Sequence, residues 1–206
     1  MMSGKSAHLF ASLLIVIVAV AFVAGCGDDG TSPPVDGDET MPQSVFKLDR
    51  HSLMMLRAWS FSPDLTYATG MFVSVAKLTS EGTVMEQTGA YPILMDIWAS
   101  SPSDIFAVGY DGIGQHGSIF HYNGRVWTEM LHPLQNRLSG VFGTSRNNVY
   151  ASGSSSIYHY DGSDWTSSLD YDEPLYGIDG VASNNIYAVG VNGTILHYSG
   201  SAWTPI

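Results

Sequence analysis

The chain has 206 residues, enough for one domain and a leader, with 13% charged residues, 12% aromatics and 22 glycines. That balance suits many short strands joined by tight turns and argues against a helical bundle or a disordered chain. Eight lysines and arginines face nineteen acids, for a net charge of −11, so there is no electrostatic footprint for nucleic acid or for anionic lipid headgroups.

Met1 to His8 carries one positive charge, Lys5, and Leu9 to Ala24 is a run of sixteen residues without a charge. Val23-Ala24-Gly25 then brings small residues up to Cys26, the single cysteine. A charged start, an apolar run and small residues before a cut describe a secretory signal. The run falls short of the roughly 20 residues that span a bilayer, which argues against a retained anchor helix. Small residues followed directly by cysteine resemble the bacterial lipobox. That resemblance implies cleavage before Cys26, acylation of its thiol and new amino group (palmitate included), and attachment to a membrane of the bacterial envelope. The outer membrane and the periplasmic face of the inner membrane both remain open. With Cys26 acylated, the mature domain has no thiol and no disulfide, and its stability comes from packing.

Gly27 to Gln43 consists largely of Gly, Asp, Pro, Ser and Thr, with no basic residue. It reads as a flexible acidic tether. The expected organisation is therefore a signal peptide over 1–25, the acylated cysteine and linker over 26–43, and a folded domain over 44–206. Val45 to Leu48 alternates and reads as a short strand.

The folded part repeats itself. TYATG at Thr66–Gly70, IFAVG at Ile105–Gly109, VYASG at Val149–Gly153 and IYAVG at Ile186–Gly190 are copies of one segment, spaced by about 40 residues. About a dozen residues after the last three come HYNG, HYDG and HYSG, starting at His121, His159 and His197. Each is followed by a tryptophan: Trp127, Trp165 or Trp203. The units fall near 56–93, 94–137, 138–174 and 175–206. Each holds four strand-sized pieces, which in the last copy are 176–179, 185–190, 194–198 and 202 to the C-terminus. Asn123-Gly124 and Asp161-Gly162 signal two-residue hairpins of type I′. Aligning Gly82 with Gly124 puts Thr79, Ser80 and Met85 where the other units have His, Tyr and Trp.

Four-stranded antiparallel units at this period, with one tryptophan each, predict an all-β chain. The expected architecture is a propeller-like array of about four blades, the tryptophan packing between neighbours. A single four-unit array is the preferred reading, beside one that pairs to make eight and one shortened from a longer propeller. The repeated L-x-x-I/V, N-N-I-Y-A-V-G and G-x-I-L-H-Y-x-G-x-x-W segments resemble the propeller repeats of bacterial surface lipoproteins. More distantly they resemble sialidase-type Asp-box propellers and the photosystem assembly-factor group, over about residues 50 to 206. The glycine-to-tryptophan spacing matches the Asp-box turn, but the box itself is not intact. The arginines Arg50, Arg57, Arg125, Arg137 and Arg146 are scattered over the units, so sialidase chemistry is not implied.

His121, His159 and His197 occupy one slot in successive blades and do not converge as a metal's ligands must. They read as structural, like Gly109, Gly153, Gly190 and the three tryptophans. The acidic run at Asp170 to Glu173, and Asp161 with Asp164, lack calcium-loop spacing. No hydrolase elbow, phosphate loop or zinc motif is present, and neither a metal nor a cofactor is expected. Length variation is confined to Tyr110–Gly117, Leu131–Arg137 and Ser168–Pro174, which must share one face of the disc. Variable loops on a rigid scaffold are where recognition sits. The candidate binding residues are therefore Tyr110, Asp111, His116, His132, Arg137, Tyr171 and Asp172. The expected role is a binding or scaffolding module for a protein or a glycan. A hydrolase of envelope glycan and an assembly factor for an outer-membrane complex are the alternatives.

Overall fold

The computed structural model describes residues 54–71, 75–86, 88, 92–111, 116–134 and 136–206, apart from the side chains of 131–134. The expected signal peptide, Cys26, the acidic tether and the Val45–Leu48 strand lie outside the described residues. Within them the chain is almost entirely strand, in four antiparallel four-stranded sheets of consecutive strands. The first blade comprises β1 (Met54–Ser62), β2 (Leu65–Met71), β3 (Val75–Thr79) and β4 (Gly82–Glu86). The second comprises β5 (Pro92–Ser101), β6 (Asp104–Asp111), β7 (Gly117–Tyr122) and β8 (Trp127–Leu134). The third comprises β9 (Leu138–Ser145), β10 (Asn148–Gly153), β11 (Ser156–Tyr160) and β12 (Trp165–Asp170). The fourth comprises β13 (Leu175–Ala182), β14 (Asn185–Gly190), β15 (Ile195–Tyr198) and β16 (Trp203–Pro205). A short 3-10 turn at Val191–Gly193 joins β14 to β15.

Three hydrophobic clusters hold the blades together, one at each junction. Tyr67 and Val75 of the first blade pack with Leu94, Ile105, Ala107 and Trp127 of the second. Phe106, Val108 and Ile119 of the second pack with Leu138, Val141 and Tyr160 of the third. Tyr150 and Ile157 then meet Leu175, Ile186 and Leu196 of the fourth. Alternate residues of β6 therefore face opposite neighbours: Ile105 and Ala107 look back, Phe106 and Val108 look forward. A strand covered on both faces has no polar side, which is why the repeated segment reads as a continuous apolar run.

The forward-facing aromatics of β6 and β10 meet the Tyr–Trp pair of the next blade. Phe106 lies 5.6 Å from Tyr160 and 6.2 Å from Trp165, and Tyr150 lies 5.6 Å from Tyr198 and 6.1 Å from Trp203, between ring centroids. Such edge and tilted contacts add about 0.5–1.5 kcal/mol each beyond area burial. The indole of Trp127 also donates to Glu86 across the first junction at 2.7 Å, and that of Trp203 to Ser168 across the third at 3.1 Å.

The glycine closing each repeated segment has a backbone cause. A Cβ on Gly109 would lie 1.9 Å from the Ile93 carbonyl oxygen, and one on Gly153 would lie 2.0 Å from that of Arg137. The innermost strand passes this close because it bulges there. Register shifts in all four blades leave Leu56, Met95, Ser139 and Tyr176 as the extra residues. A second bulge near the other end makes the inner strands 8 to 10 residues long, longer than the four to six residues expected from the sequence.

Two turn assignments are corrected. Tyr122 pairs with Trp127, Tyr160 with Trp165 and Tyr198 with Trp203, so these hairpins have four-residue loops and not two-residue type I′ turns. Only the glycines take positive φ there, at 89°, 102° and 98° for Gly124, Gly162 and Gly200. The Asn123 side chain holds its loop by accepting the N–H groups of Arg125 and Val126, and Asp161 does the same for Ser163 and Asp164. In the first blade Lys77, not Thr79, lies opposite Tyr67 at the histidine's slot, and Leu78 pairs with Thr83 where the others have Tyr and Trp. Thr79 takes the part of Asn123, its hydroxyl accepting from Glu81. Gly82 comes two positions later in its turn than Gly124 does, so aligning the glycines slides the register by two.

Candidate functional site

The connections between first and second strands, and between third and fourth, lie together on one face. A Cβ on Gly124 would touch Ser103, one on Gly162 would touch Asn147, and one on Gly200 would touch Asn184. The opposite face carries the longer connections and opens into a cavity of about 490 Å³ on the array's inner side. All four bulged residues, Leu56, Met95, Ser139 and Tyr176, line it. A bulge re-aims a side chain without disturbing the ladder on either side. Here it sends one residue per blade to the mouth.

Beside them stand Arg57, Tyr110 and Arg137. The Arg137 guanidinium sits 4.6 Å from the centroid of the Tyr110 ring, a cation–π contact that holds a long side chain in place. Arg57 approaches Asp96 with Nε to Oδ1 at 3.6 Å. Asp96 in turn accepts the Val141 N–H at 2.9 Å, tying the second blade to the third. Burial pushes the Asp96 carboxyl up to about 6, and Asp179 adds to the rise, against the Val141 and Ile97 N–H groups and Arg57, which lower it. Among the described residues no carboxylate lines the cavity itself.

Of the residues singled out from sequence, Tyr110 and Arg137 meet at this mouth. Asp111 and His116 bond each other at 3.2 Å, Nδ1 to Oδ2, and the Asp111 carboxylate also takes the His116 N–H. Tyr171 is partly buried against the third cluster, while Asp172 is exposed. His132 falls within β8, and its side chain is outside the described residues. The strands β6, β8 and β12 run into the segments expected as loops, to Asp111, Leu134 and Asp170. Leu56, Met95, Ser139 and Tyr176 were not singled out, because a bulge has no signature in side-chain type, and neither were Arg57 and Ser154 beside them.

The repeated histidines serve the blades. His121 bonds Asp104 at 2.8 Å, His159 bonds Asn148 at 2.7 Å and His197 bonds Asn185 at 3.0 Å, each across to the start of the second strand. Each ring lies on its cross-strand partner, with centroids 4.5 Å, 4.4 Å and 4.6 Å from Phe106, Tyr150 and Tyr187. Burial holds His159 below the usual imidazole range. Among the described residues no three His, Cys, Asp or Glu side chains gather as a metal-binding group. No described helix is long and apolar enough to cross a membrane.

No protein-family profile matches the chain, and no curated relative matches it by sequence. Solved structures do match by shape. A computationally designed protein, Ika4, is 12% identical with a TM-score of 0.57, the match covering 77% of this chain and 99% of that one. YCF48 from Cyanidioschyzon merolae is 13% identical with a TM-score of 0.54, over 74% of this chain and 56% of that one. The extracellular domain of a putative hybrid two-component system from B. thetaiotaomicron is 15% identical with a TM-score of 0.55, over 77% of this chain and 22% of that one. The fold is that of a β-propeller. The chain spans about half of YCF48 and about a fifth of that extracellular domain, so the likeness is one of fold.

Proposed function

We propose that the chain is a lipid-anchored, extracytoplasmic binding module whose mouth takes a carboxylate-bearing segment of a protein or glycan. The observation that carries this reading is the pairing of Arg137 with Tyr110 in a cavity that also holds Arg57. The whole chain carries a net charge of −11 and only eight basic residues, yet two of its arginines line one cavity. A guanidinium presents a planar fork that fits a carboxylate, and the ring beneath it limits the freedom lost on binding. Ser139 and Ser154 add hydroxyls, while Leu56, Met95 and Tyr176 supply apolar contact. This is the mix of apolar wall and few polar groups found in ligand sites.

The anchor rests on the Val-Ala-Gly-Cys segment ending at Cys26 and on the acidic tether after it. The extracellular domain of a putative hybrid two-component system and YCF48 are similar in fold. Glycan hydrolysis requires two carboxylates flanking the scissile bond, about 5 to 10 Å apart, and none is among the described residues that line the cavity. The experiment is a pull-down from envelope extract with the full chain, set beside Tyr110→Ala/Arg137→Ala. A partner recovered by the native protein and lost with the variant supports the reading. Equal recovery by both would remove the mouth from recognition. Labelling of the native chain with radioactive palmitate, abolished by Cys26→Ser, tests the anchor.

A further inference from the structure

Every blade has a forward face and a backward face, and three times within the chain the first is covered by the second. The forward face carries the second-strand aromatic and the residue opposite its glycine-side neighbour. Tyr67, Phe106 and Tyr150 are 1%, 0% and 3% exposed, whereas the fourth copy, Tyr187, is 39% exposed. Val75, Ile119 and Ile157 are each 0% exposed, whereas their equivalent Ile195 is 39% exposed. Val189, in the slot of the fully buried Val108 and Ser152, is 45% exposed.

The first blade shows the complementary defect on its backward face. Leu94, Leu138 and Leu175 are each 0% exposed, and their equivalent Met55 is 40% exposed. Tyr122 and Tyr160 are 8% and 9% exposed, and Leu78 in their place is 37% exposed. The two ends of the array are thus the two halves of a contact the chain already makes at three junctions. Among the described residues no first-blade strand packs on the fourth blade in the way that β5 packs on β1, β9 on β5 and β13 on β9.

We propose that the forward face of the fourth blade docks the backward face of the first blade of a second copy, so that two chains close one eight-bladed ring. The occupant follows from the repeat itself: what covers such a face elsewhere in the molecule is the backward face of another blade. Propellers have about four to eight blades, so a four-blade chain that does not close on itself closes as two. The contact joins unlike surfaces, and it stays finite because the second copy returns to the first through a two-fold axis. Asp179 replaces the indole found at Trp98, so the docking surface centres on β14 and β15 and leaves the inner edge wet. A two-fold along the ring axis sets both cavities on one face and both Met54 ends on that same side.

The test is sedimentation equilibrium of the full chain in density-matched detergent, with two variants at opposite ends. Val189→Asp/Ile195→Asp and Leu78→Lys alter side chains already exposed in the single chain, so near-ultraviolet circular dichroism stays native. The native protein is expected at twice the single-chain mass, and each variant raises the dissociation constant at least 100-fold. A native protein at single-chain mass throughout the micromolar range overturns the proposal, and so does a dimer that neither variant weakens. A ladder of growing species overturns it as well, because the contact then propagates without closing.

Discussion

The Arg137 guanidinium lies 4.6 Å from the centroid of the Tyr110 ring, joining the segment between the second and third blades to the end of β6. Both side chains face the cavity, so the contact orients a cation there without neutralising it. Arg137→Ala is expected to cut recovery of the bound partner at least about 10-fold, the scale of one charge-assisted bond. Arg137→Lys keeps the charge but loses the planar stack, and should fall between the two. Unfolding midpoints of both variants should stay close to the native value, within about 0.5 kcal/mol.

The contact of Trp127 with Glu86 should be measurable as coupling between the first two blades. Trp127→Phe keeps most of the ring contact with Tyr122, whose centroid is 5.3 Å away, but removes the 2.7 Å bond to the carboxylate. The expected loss is about 1–3 kcal/mol in urea unfolding. A double-mutant cycle with Glu86→Ala should return a coupling of about 0.5–3 kcal/mol, because the two residues share one interaction.

Gly109 and Gly177 make a matched pair for substitution. Gly109→Ala sets a methyl 1.9 Å from the Ile93 carbonyl oxygen, so the bulge must move. The expected cost is about 3 kcal/mol or more, at the upper end for overpacking. A Cβ on Gly177 meets only a Val189 methyl at 3.6 Å, an ordinary contact, so Gly177→Ala should leave stability within about 1 kcal/mol. Equal costs at the two sites would show that the close approach at the bulge is not what requires glycine.

Asp96 gives the fold a pH signature of known sign. Its carboxyl is raised from 3.8 to about 6 in the folded protein, so between those values the folded state holds the extra proton. Stability from this group therefore increases as pH falls from about 6 to about 4, and is lost as pH rises through 6. Asp96→Asn keeps an oxygen for the Val141 N–H and has no charge to bury. It should gain about 1–3 kcal/mol at pH 7 relative to its own value at pH 4, when each is compared with the native protein. Thermal melts of both proteins from pH 4 to 7 provide the measurement.

The repeat was legible because both faces of β6 and β10 are buried, which forces the same apolar run into both blades. Gly109 and Gly153 were legible for a related reason: only glycine fits beneath the inner strand. The turn register of the first blade was not, because Gly82 and Gly124 look equivalent in sequence but stand at different turn positions. The mouth was half legible. Tyr110 and Arg137 could be found from loop length, but Leu56, Met95, Ser139 and Tyr176 are chemically unlike one another. They share only an extra backbone residue, which register reveals and composition does not. Tyr171 sits apart from the mouth lining, partly buried against the third cluster, which its place in an acidic loop did not reveal.

The repeated bulge separates what lines the mouth from what keeps the sheets paired. Because the extra residue stands outside the ladder, Leu56, Met95, Ser139 and Tyr176 can each be exchanged while every hydrogen-bonded pair stays in place. In the proposed binding role each blade thereby contributes one side chain that can vary without any alteration to the architecture.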